Sequence, residues 1–168
     1  MNSVDTAGIS IRSDVKPGDV GSIVYLHGTI YAREYGFDCS FEPYVAAPLA
    51  EFALSRNDRS KIWIVEQQSR VRGSMAIVEC TEVLAQLRWL ILHPDIQGLG
   101  IGKRLVEEGI GFCREKGYSS IFLWTVGHLD AATHIYQSEG FKLKEEKSHR
   151  IWGVNLTEQK YVLNLKKR

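Results

Sequence analysis

The stretch His93–Lys103 reads HPDIQGLGIGK. Gly98, Gly100 and Gly102 alternate with single apolar residues, Arg104 follows Lys103, and the apolar run Leu87–Leu92 (LRWLIL) comes before. Downstream, Ile101, Leu105, Val106, Ile110 and Cys113 recur at helical spacing, with Gly117 where the helix should stop. A strand, a glycine turn and a helix therefore follow one another. The first N–H groups of a helix have no intrahelical partner and lie at the positive end of its dipole. Glycines let a ligand approach that backbone, so the arrangement predicts a pyrophosphate seat. The alternative at this point is an ordinary turn softened by glycine.

Two phosphate-binding patterns do not fit. A nucleotide-hydrolase loop needs Ser or Thr after Gly-Lys, and Gly102-Lys103 is followed by Arg104. A dinucleotide fingerprint needs Gly-x-Gly-x-x-Gly, and here the third glycine comes one residue early, in a turn past mid-chain.

Outward from this turn, GISIR reads as a first strand. Two helices are expected next, over VGSIVYLHGTIYAREYG and DCSFEPYVAAPLAEFALSR, with Asp19 and Ser40 as caps, Pro43 in a first turn and Gly28 as a break. KIWIVEQ, RGSMAIVEC and AQLRWLILH read as three strands. After the glycine turn and its helix, SSIFLWTV reads as a strand buried on both faces, with Trp124 in the core. DAATHIYQSEG is a short helix ended by Gly140, and FKLKEEKSH and QKYVLNLKK are a closing pair of strands. The order gives an α/β (α+β) mixed sheet with helices on its faces.

The chain has 168 residues, 44% of them hydrophobic, and a formal net charge of +1. That predicts one domain over 1–168, with about the first seven residues a loose N-terminal end. Near-neutral charge argues against a bulk grip on nucleic acid. Cys39, Cys80 and Cys113 are too scattered for a disulfide framework or zinc site, and read as the reduced thiols of a cytoplasmic protein. No apolar run reaches the ~20 residues of a membrane span, and the N-terminal sequence lacks a signal-peptide pattern.

Gln97-x-x-Gly100-x-Gly102, after a strand ended by Pro94, resembles the acetyl-CoA-binding motif of the GNAT acetyltransferases, Gln/Arg-x-x-Gly-x-Gly/Ala. Residues Ala131–Phe141 (AATHIYQSEGF) resemble that family's later helix, with Ala132, Tyr136 and Gly140-Phe141 in the expected order. The resemblance covers roughly Ile9 to Leu165. It implies a mostly antiparallel central sheet of about seven strands flanked by about four helices. The segments HGTIYAREYGFDCSFE and LWT further resemble the acetyltransferase half of bacterial MarR–GNAT fusion proteins, without their DNA-binding region.

The resemblance implies transfer of the acetyl group of acetyl-CoA, as cosubstrate, to an amine in a ternary complex, with no metal. Backbone N–H groups over Gly98, Leu99, Gly100, Ile101, Gly102 and Lys103 would hold the pyrophosphate, and Gln97 would shape the turn. The backbone of Leu90, Ile91 and Leu92 would pair with the pantetheine arm. Tyr136 is the expected general acid toward the CoA sulfur; the alternative is a core tyrosine. Glu79 is the expected general base, against the reading of a solvated strand-end carboxylate; His27 and His149 are further candidates. Glu34 and Glu42 would hold a cationic acceptor walled by Tyr31 and Tyr35, unless these aromatics are simply core. Where the family carries an asparagine at the start of the later helix, this chain has Leu129. A homodimer paired through the final strands is expected by the same resemblance. A CoA-binding sensor with little turnover, or a companion of a separate DNA-binding regulator, are the competing readings.

Overall fold

The computed structural model describes residues 8–55 and 57–165. The expected loose end, residues 1–7, lies outside the described residues. Strand β1 (Ile9–Arg12) leads into helices α1 (Asp19–Tyr35) and α2 (Phe41–Leu54). Strands β2 (Lys61–Gln67), β3 (Arg70–Glu79) and β4 (Leu84–Leu92) follow, then a single 3-10 turn, Pro94–Ile96, and helix α3 (Ile101–Glu115). Strand β5 (Ser120–Val126), helix α4 (Asp130–Ser138) and the hairpin β6 (Lys142–Ile151) and β7 (Val154–Asn164) complete the order.

The strands form one sheet, ordered β1-β2-β3-β4-β5-β7-β6. Every pairing is antiparallel except β4 with β5, where Leu84–Gln86 run beside Ser120–Phe122. Beyond Gln86 the two strands part. At the same place β4 is irregular: its register against β3 shifts between Ser74 and Ala76, and Trp89 takes φ 52°, a left-handed conformation that bends the strand. The Ser74 hydroxyl donates to the Trp89 carbonyl at 2.7 Å and holds the bulge. A gap in the sheet is thus built into the middle of the molecule.

Two cores lie on the two faces. Ile101, Leu105, Val106 and Ile110 of α3 pack with Met75, Ile77, Leu87, Ile121 and Leu123. Ile23 of α1 and Phe41, Val45 and Leu49 of α2 pack with Ile62, Ile64, Ala76 and Trp89. On this second face the helices cover the β1–β4 half of the sheet. Phe122 and Trp124 of β5 are therefore half-buried rather than core. The Lys160 ammonium lies 5.0 Å from the Phe122 ring centre, and that of Lys147 lies 4.7 Å from Trp124. An apolar run need not be buried on both faces when lysine stems and ammonium groups cover one of them.

Three local expectations change. Helix α1 runs unbroken through Gly28, where the Glu42 side chain packs in the space a Cβ would take. Asp19 opens α1 but does not cap it. Its carboxylate accepts two bonds from Arg12, each 2.8 Å, and one from the Lys16 N–H at 2.7 Å, so it ties β1 to α1. Ser40 precedes α2, yet its hydroxyl donates to Asp38 instead of capping the helix. Strand β6, the expected pairing edge, does lie at the edge of the sheet. Its run of Lys142, Lys144, Glu145, Glu146 and Lys147 is of the kind that blunts edge-to-edge pairing.

Candidate active site

The glycine turn takes the predicted form. Gly98 and Gly100 have φ of 75° and 79°, values that favour glycine, and Gly100 leads into α3. The Gln97 side-chain amide donates to the Leu92 carbonyl at 2.9 Å and closes the turn against the end of β4. The N–H groups at the head of α3 have no intrahelical acceptor. Gly102 is small for a different reason: a Cβ there would lie 3.2 Å from Ile135 of α4.

A groove of about 400 Å³ runs from this turn along β4. Its walls include Leu90, Ile91, Leu92, Gln97, Gly98, Gly100, Ile101, Gly102 and Lys103, with Tyr31, Glu34 and Tyr35 on the α1 side. Leu99 does not line it and packs against the α3 core. The backbone of β4 from Leu87 to Leu92 has no partner on β5, because the parallel pairing stops at Gln86. Buried backbone groups require partners, and an extended amide-bearing arm in the groove would supply them.

A second cavity, of about 120 Å³, lies on the other side of the gap. Tyr31, Leu90, Leu129 and Ala132 wall both spaces, so they meet where β4 and β5 separate. Tyr136 of α4 faces this second cavity and is 5% exposed. Burial, with Tyr31 adding a smaller effect, pushes its phenol well above the ordinary value. The hydroxyl therefore stays protonated at neutral pH, and it donates to no protein group among the described residues. Burial does the same to Tyr31, whose ring packs on Phe41 at 4.7 Å and Phe37 at 5.3 Å.

The expected base and three expected acceptor contacts move. Glu79 pairs with Ala85, five residues and about 17 Å of strand from Leu90. Its carboxylate is held by Arg59 at 2.7 Å and lines neither cavity. Glu42 is exposed over Gly28 and also lines neither. Glu34 and Tyr35 face the groove, not the second cavity. His27 does line the second cavity, but burial lowers it to about 4, with the Ile23 carbonyl, 2.8 Å from Nδ1, opposing. Such a ring is neutral at pH 7 and a weak base.

The charges that do line the second cavity come from elements that received no such role in the sequence reading. Arg88 on β4 and Glu158 on β7 both reach it. The Glu158 carboxylate lies 2.6 Å from Nε2 of His149, whose side chain is 40% exposed against 17% for Glu158. Arg88 stacks its guanidinium 4.8 Å from the Trp89 ring, and no carboxylate or other acceptor among the described residues pairs with it. The Tyr44 phenol is raised by burial first, then lowered by Arg88 and raised by Glu158, so it stands in the field of both. Of this set only His149 was a candidate in the sequence, and its pairing with Glu158 becomes visible only once β6 and β7 are in register.

The pattern of the Acetyltransferase (GNAT) family matches residues 28–141, more than half of the chain. This chain belongs to the GNAT acetyltransferase family. The GNAT chain is 29% identical over 153 residues to an uncharacterised N-acetyltransferase of Schizosaccharomyces pombe, covering 85% of this chain and 88% of that one. It is 30% identical over 98 residues to human N-acetyltransferase 8B, of whose length the match spans 43%. In structure the GNAT domain is similar to an acetyltransferase of Streptococcus agalactiae, with TM-score 0.74 and 20% identity over 95% of this chain and 99% of that one. A GNAT family acetyltransferase from Elizabethkingia anophelis, solved with acetyl-CoA bound, gives TM-score 0.64 at 13% identity over 95% and 99% of the two chains. These likenesses establish the seven-strand fold with its four flanking helices.

Proposed function

We propose that the protein transfers the acetyl group of acetyl-CoA to the primary amine of a small acceptor. The observation that carries this reading is the meeting of two cavities at the β4–β5 gap, with an unpaired tyrosine hydroxyl beside the junction. The N–H groups from Gly98 to Lys103 hold the pyrophosphate at the positive end of α3, and Lys103 lines the groove beside them. The backbone of Leu90–Leu92 pairs with the pantetheine amides. In this reading the thioester lies at the gap and the acceptor enters from the 120 Å³ side.

An ammonium has no lone pair and must lose a proton before it attacks. Glu158 takes over this role from Glu79, because Glu158 faces the cavity and Glu79 does not. The proton leaves the nitrogen for the Glu158 carboxylate, and His149 passes it outward to water. The freed amine then attacks the thioester carbon, and the carbon–sulfur bond breaks. Tyr136 gives its proton to the departing sulfur, and the nitrogen's second proton replaces the one Tyr136 gave. The products are an N-acetyl amine and the free thiol of CoA. Leu129 caps α4 without a side-chain bond, so backbone groups take the part that the family gives to asparagine.

The segments that resemble MarR–GNAT fusions, His27–Glu42 and Leu123–Thr125, supply Tyr31, Phe41 and Trp124 to the acceptor cavity. This supports a kinship in the acceptor site. No described helix is long and apolar enough to cross a membrane.

The test has two parts. Acetyl-CoA at ~100 times its dissociation constant should stabilise the fold by ~2.7 kcal/mol, roughly 5–11 °C in Tm for a domain of this size. Release of free CoA thiol should then depend on an added amine. Binding without turnover on any amine would favour the sensor reading. No stabilisation would remove the CoA reading altogether.

A further inference from the structure

We propose that the acceptor is a small amino acid whose carboxylate is held by Arg88 while its amine is presented to Glu158. The inference rests on the transferase reading above and concerns the acceptor side of the same site.

The sequence reading favoured a cationic acceptor because of Glu34 and Glu42. The structure removes both from the acceptor cavity. What remains there is one guanidinium and one carboxylate, on opposite sides of the gap in the sheet. Arg88 projects from β4, and Glu158 from β7, with β5 between them. The five donors of the Arg88 guanidinium form a fork that matches a planar anion. Arg59 and Arg12, by contrast, are fully engaged by Glu79, Asp19 and Glu66. Arg88 is the arginine that lines this cavity, and no acceptor among the described residues pairs with it.

Glu158 bonds His149, and no ion pair joins it to Arg88 among the described residues. Its other neighbours are Lys147, opposite it in register, and Tyr44 and Gln86 across the cavity. Lys147 is itself paired with Glu145 at 3.5 Å. The cavity thus presents separate positive and negative ends to one ligand.

Size agrees. A cavity of about 120 Å³ admits a compact zwitterion. Trp124, Trp152 and Tyr44 line it with aromatic surface. A peptide N-terminus or a protein lysine offers no carboxylate next to its amine and would leave Arg88 unpaired.

The test uses matched pairs of acceptors, each amino acid against the primary amine that lacks its carboxylate, such as alanine with ethylamine and leucine with 3-methylbutylamine. The expected result is a preference for the amino acid of at least about tenfold in kcat/KM, as for a site built to bond a group that the analogue lacks. Arg88→Gln should collapse that preference, and Arg88→Lys should keep part of it, both with Tm near that of the parent. Equal or better use of the simple amines, or a preference that survives in Arg88→Gln, would overturn the inference while leaving the transferase intact. So would acetyl-CoA binding with no amino acid accepted. Absence of acetyl-CoA stabilisation would instead overturn the transferase reading and this inference with it.

Discussion

The carbonyl of Trp152, in the turn between β6 and β7, accepts a hydrogen bond from the N–H of Asp38 at 2.9 Å. Trp152 has φ 52° and Gly153 φ 79°, the pair of left-handed residues that a tight hairpin uses. The Trp152 ring also packs on Phe37, Phe41 and Tyr44, with centroids 5.1, 4.9 and 4.9 Å away. One residue therefore joins the last hairpin to the α1–α2 connection and lines the proposed acceptor cavity. Trp152→Ala should destabilise the fold by about 3 kcal/mol and raise the acceptor KM more than that of acetyl-CoA. Equal effects on both constants would separate this residue from the acceptor site.

Glu158 and Glu79 offer a direct contrast. Glu158→Gln should lower kcat roughly 100-fold, the scale of a lost proton acceptor, whereas Glu79→Gln should leave kcat near the parent value. The reverse ranking would restore the base role to β3. Glu42→Gln should leave the acceptor KM unchanged, since its side chain lies over Gly28.

Tyr136→Phe keeps the ring packed against Phe141, at 5.9 Å, and removes only the hydroxyl. It should lower kcat about tenfold with little change in CoA affinity measured by titration. Unchanged turnover would return Tyr136 to a purely structural role.

At Gly98 and Gly100 an added Cβ would meet no protein atom, but both residues have positive φ. Alanine at either position should cost about 1 kcal/mol of stability through backbone strain. Because both residues line the groove, the same methyl should weaken acetyl-CoA binding far more than it lowers Tm. A titration showing parent affinity in Gly100→Ala would remove the turn from the cosubstrate site.

Acid should weaken the fold in two stages. Burial lowers His27 from 6.5 to about 4. Below pH 6.5 the unfolded chain therefore binds a proton that the native chain refuses, and stability falls until about pH 4. His27→Leu should remove this stage. Burial alone would raise Asp19, but the Arg12 and Lys16 bonds outweigh it and hold the carboxyl below 3.8. Its contribution is present above that value and is lost as pH falls below it. Asp19→Ala should cost about 3 kcal/mol at neutral pH, because it leaves the Arg12 guanidinium without its main partner. Urea denaturation across pH 3–7 would show both effects.

Much of this was legible in local sequence. HPDIQGLGIGK specifies its own turn, since Gly98 and Gly100 need left-handed backbone and Gln97 reaches only as far as Leu92. The order of strands and helices follows from apolar spacing, which each segment carries within itself. Tyr136 could be placed because its helix bears a recognisable pattern next to that turn.

What the chain's own pattern could not decide is which distant residues share a cavity. The gap beyond Gln86 depends on β4 and β5 pairing for three residues and then separating, which neither strand encodes alone. Trp124 looked like core because its strand is apolar, yet it is half-exposed because no helix covers β5 on that face. Glu79 looked like a base by its strand, yet the direction of β3 carries it to the far end. Arg88 and Glu158 come from two strands and line one cavity only once the sheet is assembled, with His149 of a third strand bonded to Glu158. Short-range geometry therefore determined the glycine turn, and long-range packing determined the proposed acceptor site.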